Sequence, residues 1–349
     1  MLKIGIIGVG GIAQNAHIKE LKECKDAIIT AICDIDEATL NKVGDDLNLD
    51  AKYRFKDYMD LINCDEVEAI QICTPNYLHV EMATAAVKKG KPVEIEKPLG
   101  LDYNDTLPLT KALEENPVAN MMCMSYRFKP AVRFAKWIMN KNLIGDIISI
   151  DVQYLKSSAF MEGRRLDWRF VKKFAGTGVL GDLAVHLIEL ATLLAGDLKK
   201  VSAQTKIIVK ERKKLDSEEI APVETDDYCS FIGEMDNGIL ANFLITRCAI
   251  GNVNTIKFDV YATNGVISFN LNNPEELGVC IGEVDVKSDG LHTVKVPKEF
   301  YVTQEQSFVD LVNGKECEYL PKVEDGVKLQ KILDAILESA DKQKWVNIE

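Results

Sequence analysis

Leu2-Lys3-Ile4-Gly5-Ile6-Ile7-Gly8-Val9-Gly10-Gly11-Ile12-Ala13 opens with an apolar run that stops on a glycine. Residues 3–7 have the length and β-branched content of a buried strand, and the glycines after them free the backbone to turn tightly into a helix. The same rhythm continues outward from this stretch. Apolar runs of four to six residues recur at 28–33, 69–73, 92–95 and 118–122, separated by helix-like segments at 36–46, 77–89 and 103–114. Short strands alternating with helices predict a parallel sheet with helices on both faces, because parallel neighbours need crossovers and are buried on both sides.

The turn itself carries a ligand signature. Gly8-Val9-Gly10-Gly11-Ile12-Ala13 fits G-x-G-x-x-A directly after a strand. In that pattern Gly8 permits the tight turn, Gly10 lets backbone approach a pyrophosphate, and Ala13 lets helix and strand pack closely. Gly11 and Ile12 open the helix, whose free N–H groups face the anion. Asp34 ends the second apolar run, 21 residues beyond Ala13. A carboxylate there accepts from the hydroxyls of an adenine ribose and repels a 2′-phosphate. Ile35 and Asp36 follow it and no arginine lies beside it, so NAD is expected as the cofactor, ahead of NADP.

Two more loops fall at strand carboxyl ends, where open α/β sheets bind ligands: Thr74-Pro75-Asn76-Tyr77-Leu78-His79 and Glu96-Lys97-Pro98. Thr74, Pro75, Asn76, His79, Glu96 and Lys97 join the expected cofactor-binding set. The simpler reading of His79, and of His17 near the first helix, is packing.

Beyond Arg127 the texture changes. Residues 130–140 read as one more helix, opened by Pro130. Strand-like runs follow at 147–154, 201–210, 228–234, 238–247, 256–262 and 266–271, and turn-forming residues join many of them: Asp236-Asn237-Gly238, Asn264-Gly265 and Ser288-Asp289-Gly290. This half is expected to be an α+β domain with an open, mostly antiparallel sheet, a helix near 182–194 and a last helix over 323–341. The charged run 210–219 reads as a solvated hairpin or loop. A chain of 349 residues exceeds one ordinary domain, and the expected division is 1–125 and 126–349.

Composition narrows the function classes. With 47% hydrophobic and 28% charged residues the chain is not mostly disordered. Its 42 basic and 54 acidic residues leave a net charge of −12, the wrong sign for a nucleic-acid partner. No apolar run approaches the ~20 residues that cross a bilayer, and residues 1–5 enter a strand pattern without a signal-peptide layout. The nine cysteines are scattered without a C-x-x-C pair. They read as buried thiols in a reducing compartment, so a cytoplasmic location and no metal site are expected.

Taken together, the Gly8–Ala13 turn, Thr74-Pro75-Asn76 with His79, and Glu96-Lys97-Pro98 resemble the Gfo/Idh/MocA oxidoreductases, the relatives of glucose–fructose oxidoreductase and inositol dehydrogenase. Later stretches agree: Tyr126-Arg127-Phe128 with Pro130, Gly145 before a strand, Trp168-Arg169, Gly178 through His186, and Asp227 before a strand. The resemblance implies a Rossmann doubly wound sheet followed by an open-faced sheet domain that forms oligomer contacts, as a homodimer or homotetramer. It also implies a carbohydrate-like substrate: a sugar, cyclitol, amino-sugar or nucleotide conjugate. Two departures, Gly176-Thr177-Gly178 in place of three glycines and Ala184-Val185 ahead of His186, bear on substrate shape more than on chemistry.

Asp182 and His186 are four residues apart in a helical pattern, which puts both on one face. Oxidising a secondary alcohol requires a group titrating near neutrality to take the hydroxyl proton, and histidine suits that step. His186 is expected as general acid/base, with Asp182 orienting it or relaying its proton. Lys97, following the family pattern, would donate to the reacting oxygen and stabilise alkoxide charge. The residues leave open which of Lys97 and His186 moves the proton. Tyr126, Arg127, Trp168 and Arg169 are the expected substrate contacts, since hydroxyl-rich ligands need hydrogen-bond forks and flat apolar faces. The expected activity is NAD-dependent hydride transfer to or from a secondary hydroxyl or ketone of a sugar, cyclitol or related polyol. An NAD-dependent glycosidase of the same fold is the alternative, and a non-catalytic cofactor-sensing regulator a third reading.

Overall fold

The computed structural model describes residues 1–282 and 290–348, so Ser288 and Asp289 of the third turn-forming stretch lie outside the described residues. The chain forms two compact units. One comprises residues 1–124 with 303–330, the other 125–302 with 331–349.

In the first unit, strands β1 (Leu2–Ile7), β2 (Ala27–Cys33), β3 (Arg54–Phe55), β4 (Ala69–Ile72), β5 (Val93–Ile95) and β6 (Asn120–Met122) lie in the order β3-β2-β1-β4-β5-β6. Every pairing is parallel. Ile6 and Ile7 of β1 and Ala31 and Ile32 of β2 are buried at successive positions, as in a sheet covered on both faces, and β4 and β5 place buried Gln71 and Glu94 between buried aliphatics. Helices Glu37–Asp46, Tyr58–Ile62, His79–Lys88 and Tyr103–Glu115 serve the crossovers. Asp36, Asp57 and Asp102 start three of them, each side chain accepting a backbone N–H of the first turn at 2.7 to 2.9 Å. The strand order reverses between β1 and β4, and that switch point opens a crevice at the carboxyl ends. A late segment completes this unit. Helix Gln304–Val312 packs on Ile18–Leu21, and the Met122 N–H donates to the Pro321 carbonyl at 2.7 Å.

The second unit contains β7 (Ile147–Leu155), β8 (Leu198–Lys206), β9 (Glu211–Lys213), β10 (Ile220–Pro222), β11 (Tyr228–Met235), β12 (Leu240–Thr246), β13 (Thr255–Ala262), β14 (Gly265–Asn270), β15 (Glu276–Ile281), β16 (His292–Lys295) and β17 (Val346–Asn347). Nine of these form one sheet, β16-β15-β14-β13-β7-β12-β11-β8-β17, while β9 and β10 make the hairpin expected of the charged run. Neighbours are antiparallel except β7 and β12, which run parallel. Along β12, Ala241, Phe243 and Ile245 are buried while Leu240 and Asn242 are exposed, the alternation of a sheet covered on one face. Helices Pro130–Asn140 and Val185–Ala195 pack on this sheet. Asp151, Gln153, Gln204, Ile232 and Asn242 line an open hollow of it.

One expectation is corrected here. The 24-residue stretch Lys172–Ala195 is long and apolar enough to cross a membrane, but 83% of its most apolar window is buried and a bend at 176–178, with Gly176 at φ +74°, separates the short helix Lys172–Ala175 from the rest.

Candidate active site

The glycine turn after β1 is built as its sequence requires. Gly8 sits at φ +85°, and a Cβ there would lie 2.9 Å from the carbonyl carbon and oxygen of Cys73. Gly10 differs: no atom lies within 4 Å of its Cβ position, so the turn is open on that side. Ala13 is fully buried against the sheet while Ile12 is exposed. Asp34, at the end of β2, accepts the Val9 N–H at 2.9 Å with Oδ2 and the Asp36 N–H at 2.9 Å with Oδ1. It therefore ties the glycine turn to β2, and a half-exposed carboxylate keeps lone pairs for ribose hydroxyls. The cradle a side chain at Gly10 would fill, beside a helix start and an accepting acid, fits a dinucleotide pyrophosphate and adenosine ribose.

The loops after β4 and β5 flank the switch point. Thr74 and Pro75 are half-buried, and Asn76, at the start of the turn Asn76–Leu78, is buried. His79 lies beneath both loops, one ring nitrogen 2.8 Å from the Pro98 carbonyl oxygen and the other 2.8 Å from that of Thr74. Burial lowers its pKa, outweighing the two carbonyls. Half-buried Lys97 follows β5, its N–H donating to Glu96 Oε2 at 3.1 Å, and the Lys97–Pro98 peptide is cis. The first helix begins with the π turn Ala13–His17, whose last residue reaches this strand end. His17 Nε2 lies 2.8 Å from Glu96 Oε1 and its Nδ1 lies 2.6 Å from Glu305 Oε1. Sequence reading missed Glu305, which lies 288 positions from His17 with no local motif to join them.

The second unit supplies another cluster. Asp182 falls in the π turn Leu180–Ala184, which runs into helix Val185–Ala195 bearing buried His186. The turn's entry is fixed by the Asp226 carboxylate, which accepts the Gly178 N–H at 2.7 Å and the Leu180 N–H at 3.0 Å. Tyr126, on the turn Ser125–Phe128, presents its ring edge-on to His186 with centroids 4.8 Å apart. Arg127 is buried and paired with buried Glu189, so the turn bearing Tyr126 is locked to the helix bearing His186.

Two residues absent from the expected site complete this wall. Tyr154 donates to Asn254 Oδ1 at 2.8 Å and meets the Tyr126 hydroxyl at 2.9 Å, while Asn254 Nδ2 donates back to Tyr126 at 3.4 Å. Burial, Tyr126 and the Asp182 carboxylate all push the Tyr154 pKa up, so the phenol stays neutral. The structure thus brings together Tyr126, Arg127 and His186. Trp168 and Arg169 share the turn Trp168–Phe170, with the guanidinium 4.3 Å over the indole ring, and the Arg169 carbonyl accepts from Thr225. Next to them Arg164, Arg212 and Arg247 surround the Phe170 ring at 4.5 to 5.3 Å, a group with no signature in the sequence.

Comparison with known proteins agrees with both halves. Residues 2–123 match the oxidoreductase family with an NAD-binding Rossmann fold, and residues 132–268 match the GFO/IDH/MocA C-terminal domain. The chain is 28% identical to levoglucosan dehydrogenase of Pseudarthrobacter phenanthrenivorans over 99% of its own length and 98% of that protein's. It is 27% identical to glucose-6-phosphate 3-dehydrogenase of Bacillus subtilis, covering 97% and 96% of the two chains. Among solved structures, a levoglucosan dehydrogenase in complex with NADH and levoglucosan superposes with a TM-score of 0.90 at 27% identity, over 99% of both chains. With one family model on each half and relatives matched along the whole length, the chain belongs to the Gfo/Idh/MocA oxidoreductase family.

Proposed function

We propose that this protein oxidises a secondary hydroxyl of a sugar, cyclitol or related polyol with NAD, and reduces the ketone in the reverse direction, using Lys97, Asp182 and His186. One observation carries the reading: a turn opened at Gly10 and an accepting Asp34 occupy the switch point of the same sheet whose β5 leads into Glu96 and Lys97. Relatives matched over nearly the full length are dehydrogenases of sugar hydroxyls, which supports the substrate class.

When bound, NAD supplies the two-electron acceptor. The turn at Gly8, Gly10 and Gly11, with Ile12, Ala13, Thr74, Pro75 and Asn76, holds it, and Asp34 disfavours a 2′-phosphate. His186 takes the substrate's hydroxyl proton on a ring nitrogen, and Asp182 orients the imidazole and stabilises its charge. Lys97 Nζ donates to the same oxygen as it gains alkoxide character on the way to a carbonyl. Tyr126, Trp168 and Arg169 contact the substrate. The uncovered sheet face, with Ile232 and Leu240 each about half-exposed, is where a second copy would pack.

The test is a panel of sugars, sugar phosphates, inositols and amino-sugars with NAD and NADP, read by reduced-nicotinamide absorbance. Steady formation with at least one compound, faster with NAD, is expected. A Lys97→Ala variant should still bind NAD but lose on the order of 10²–10⁴ in kcat. Failure of the purified protein to bind either dinucleotide in calorimetry would overturn the reading. Glycosidic cleavage with no net absorbance change would replace it with redox-assisted hydrolysis.

A further inference from the structure

Six ionisable or amide side chains are buried together under the end of β5. Glu94 and Glu305 are completely buried, and His17, Gln71, Gln304 and Glu96 are each less than one-tenth exposed. They come from four places: the first π turn, β4, β5 with its following residue, and helix Gln304–Val312. Gln71 Nε2 donates to Glu94 Oε2 at 2.7 Å and to Glu305 Oε2 at 2.8 Å, and Gln304 Nε2 donates to Glu94 Oε1 at 3.2 Å. The Glu305 N–H donates to Glu20 at 3.2 Å, and the Cys73 thiol also borders the ring of His17. Stability alone does not explain such a cluster, because well-packed apolar residues of equal volume serve a core at least as well as buried charges.

The chain of contacts has a direction. Glu305 holds one nitrogen of His17, the other nitrogen holds Glu96 Oε1, and Glu96 Oε2 receives the N–H of Lys97. With carboxylates on both ring nitrogens, His17 donates twice, as an imidazolium. Burial opposes that charge, but Cys73, Glu305 and Glu96 outweigh it and the pKa is raised well above its ordinary value. His17, Glu96 and Cys123 also bring ligand atoms within 4.8 Å of one another. Both imidazole nitrogens are already committed to carboxylates, so the ring serves as a clamp and not as a metal ligand.

We propose that His17 is a positioning residue for Lys97: clamped between Glu305 and Glu96, it fixes the Glu96 carboxylate that anchors the Lys97 peptide at the end of β5. The catalytic consequence rests on Lys97 acting as proposed above. The anchoring itself does not. A displacement of about 1 Å at a reacting group is enough to cost on the order of 10²-fold in rate, so a clamp remote from substrate matters to turnover.

Two near-isosteric substitutions separate positioning from bulk. In His17→Gln the amide nitrogen replaces Nε2 and still reaches Glu96, whereas in His17→Asn it replaces Nδ1 and reaches only Glu305. The first readout is hydrogen exchange of the Lys97 amide, which needs no substrate. The second is the kcat and KM of each variant on the best compound of the panel, with NAD affinity measured by calorimetry. His17→Asn is expected to exchange the Lys97 amide faster and to lose roughly 10- to 100-fold in kcat, with NAD affinity and KM little changed. His17→Gln is expected to restore both. Equal exchange in the two variants overturns the proposal, as does a kcat loss that follows melting temperature alone. If the wild-type protein turns over nothing in the panel, the dehydrogenase reading fails, and amide exchange still decides whether His17 anchors Lys97.

Discussion

Asp34 serves fold and ligand with one carboxylate. Its two hydrogen bonds to the Val9 and Asp36 N–H groups stiffen the turn, and its remaining lone pairs face outward. Hydrogen bonds to a charged acceptor contribute about 1.5–3 kcal/mol, and each 1.4 kcal/mol is about tenfold in affinity. Asp34→Ala is therefore expected to weaken NAD binding about 10- to 100-fold and to narrow the preference over NADP, measured as the ratio of the two dissociation constants. An unchanged ratio would remove Asp34 from cofactor choice. Tyr154 is a different case, since its hydroxyl closes a ring of hydrogen bonds with Tyr126 and Asn254. Tyr154→Phe leaves Asn254 Oδ1 without that donor, a loss of about 1–3 kcal/mol. The expected result is a lower melting temperature and lower kcat/KM, with NAD affinity untouched.

Both clusters of candidate site residues begin on a π turn, Ala13–His17 in one unit and Leu180–Ala184 in the other. Such turns carry one extra residue and re-aim the side chains that follow, which is why they recur at functional sites. Neither is legible from hydrophobic periodicity, because an insertion of one residue within a single turn leaves the pattern helical. The glycine turn is fully legible, since each residue's task is local. Gly8→Ala is expected to destabilise the folded protein outright, through its positive φ and the clash with Cys73. Gly10→Ala is expected to fold with an unchanged melting temperature yet bind NAD poorly, because only the ligand would meet the new methyl. Loss of stability in both variants would refute this division of labour. The same locality explains which other residues the sequence exposed. Asp34, Thr74, Asn76 and Lys97 each follow a readable strand, whereas Glu305 and Asn254 reach their partners only through the folded chain. The two-residue strand β3 and the return of residues 303–330 to the first unit left no pattern at all.

At the scale of the molecule, a net charge of −12 coexists with protons held inside the fold. Glu94 is raised well above its ordinary 4.5, first by burial and then by Glu305, and His17 is raised well above 6.5. Buried Asp226 is raised as well, chiefly by desolvation. Each of these groups binds its proton more tightly in the folded state, so stability falls as pH rises. The loss starts above the unfolded value of each group, near 4.5 for Glu94 and near 6.5 for His17, and continues to the folded value. Glu66, Glu218 and Glu234 are lowered by lysine and arginine partners and act in the opposite sense, but these are solvent-accessible surface pairs and contribute little. The melting temperature is therefore expected to fall as pH rises above these unfolded values, first through Glu94 and then through His17. Repulsion among surface carboxylates predicts a fall of the same sign, and salt separates the two causes. Screening at ~1 M ionic strength shortens the Debye length to about 3 Å and suppresses surface repulsion, while buried groups are screened far less. A slope that survives high salt and flattens in Glu94→Gln places the protons inside the first unit, and a slope abolished by salt assigns them to the surface.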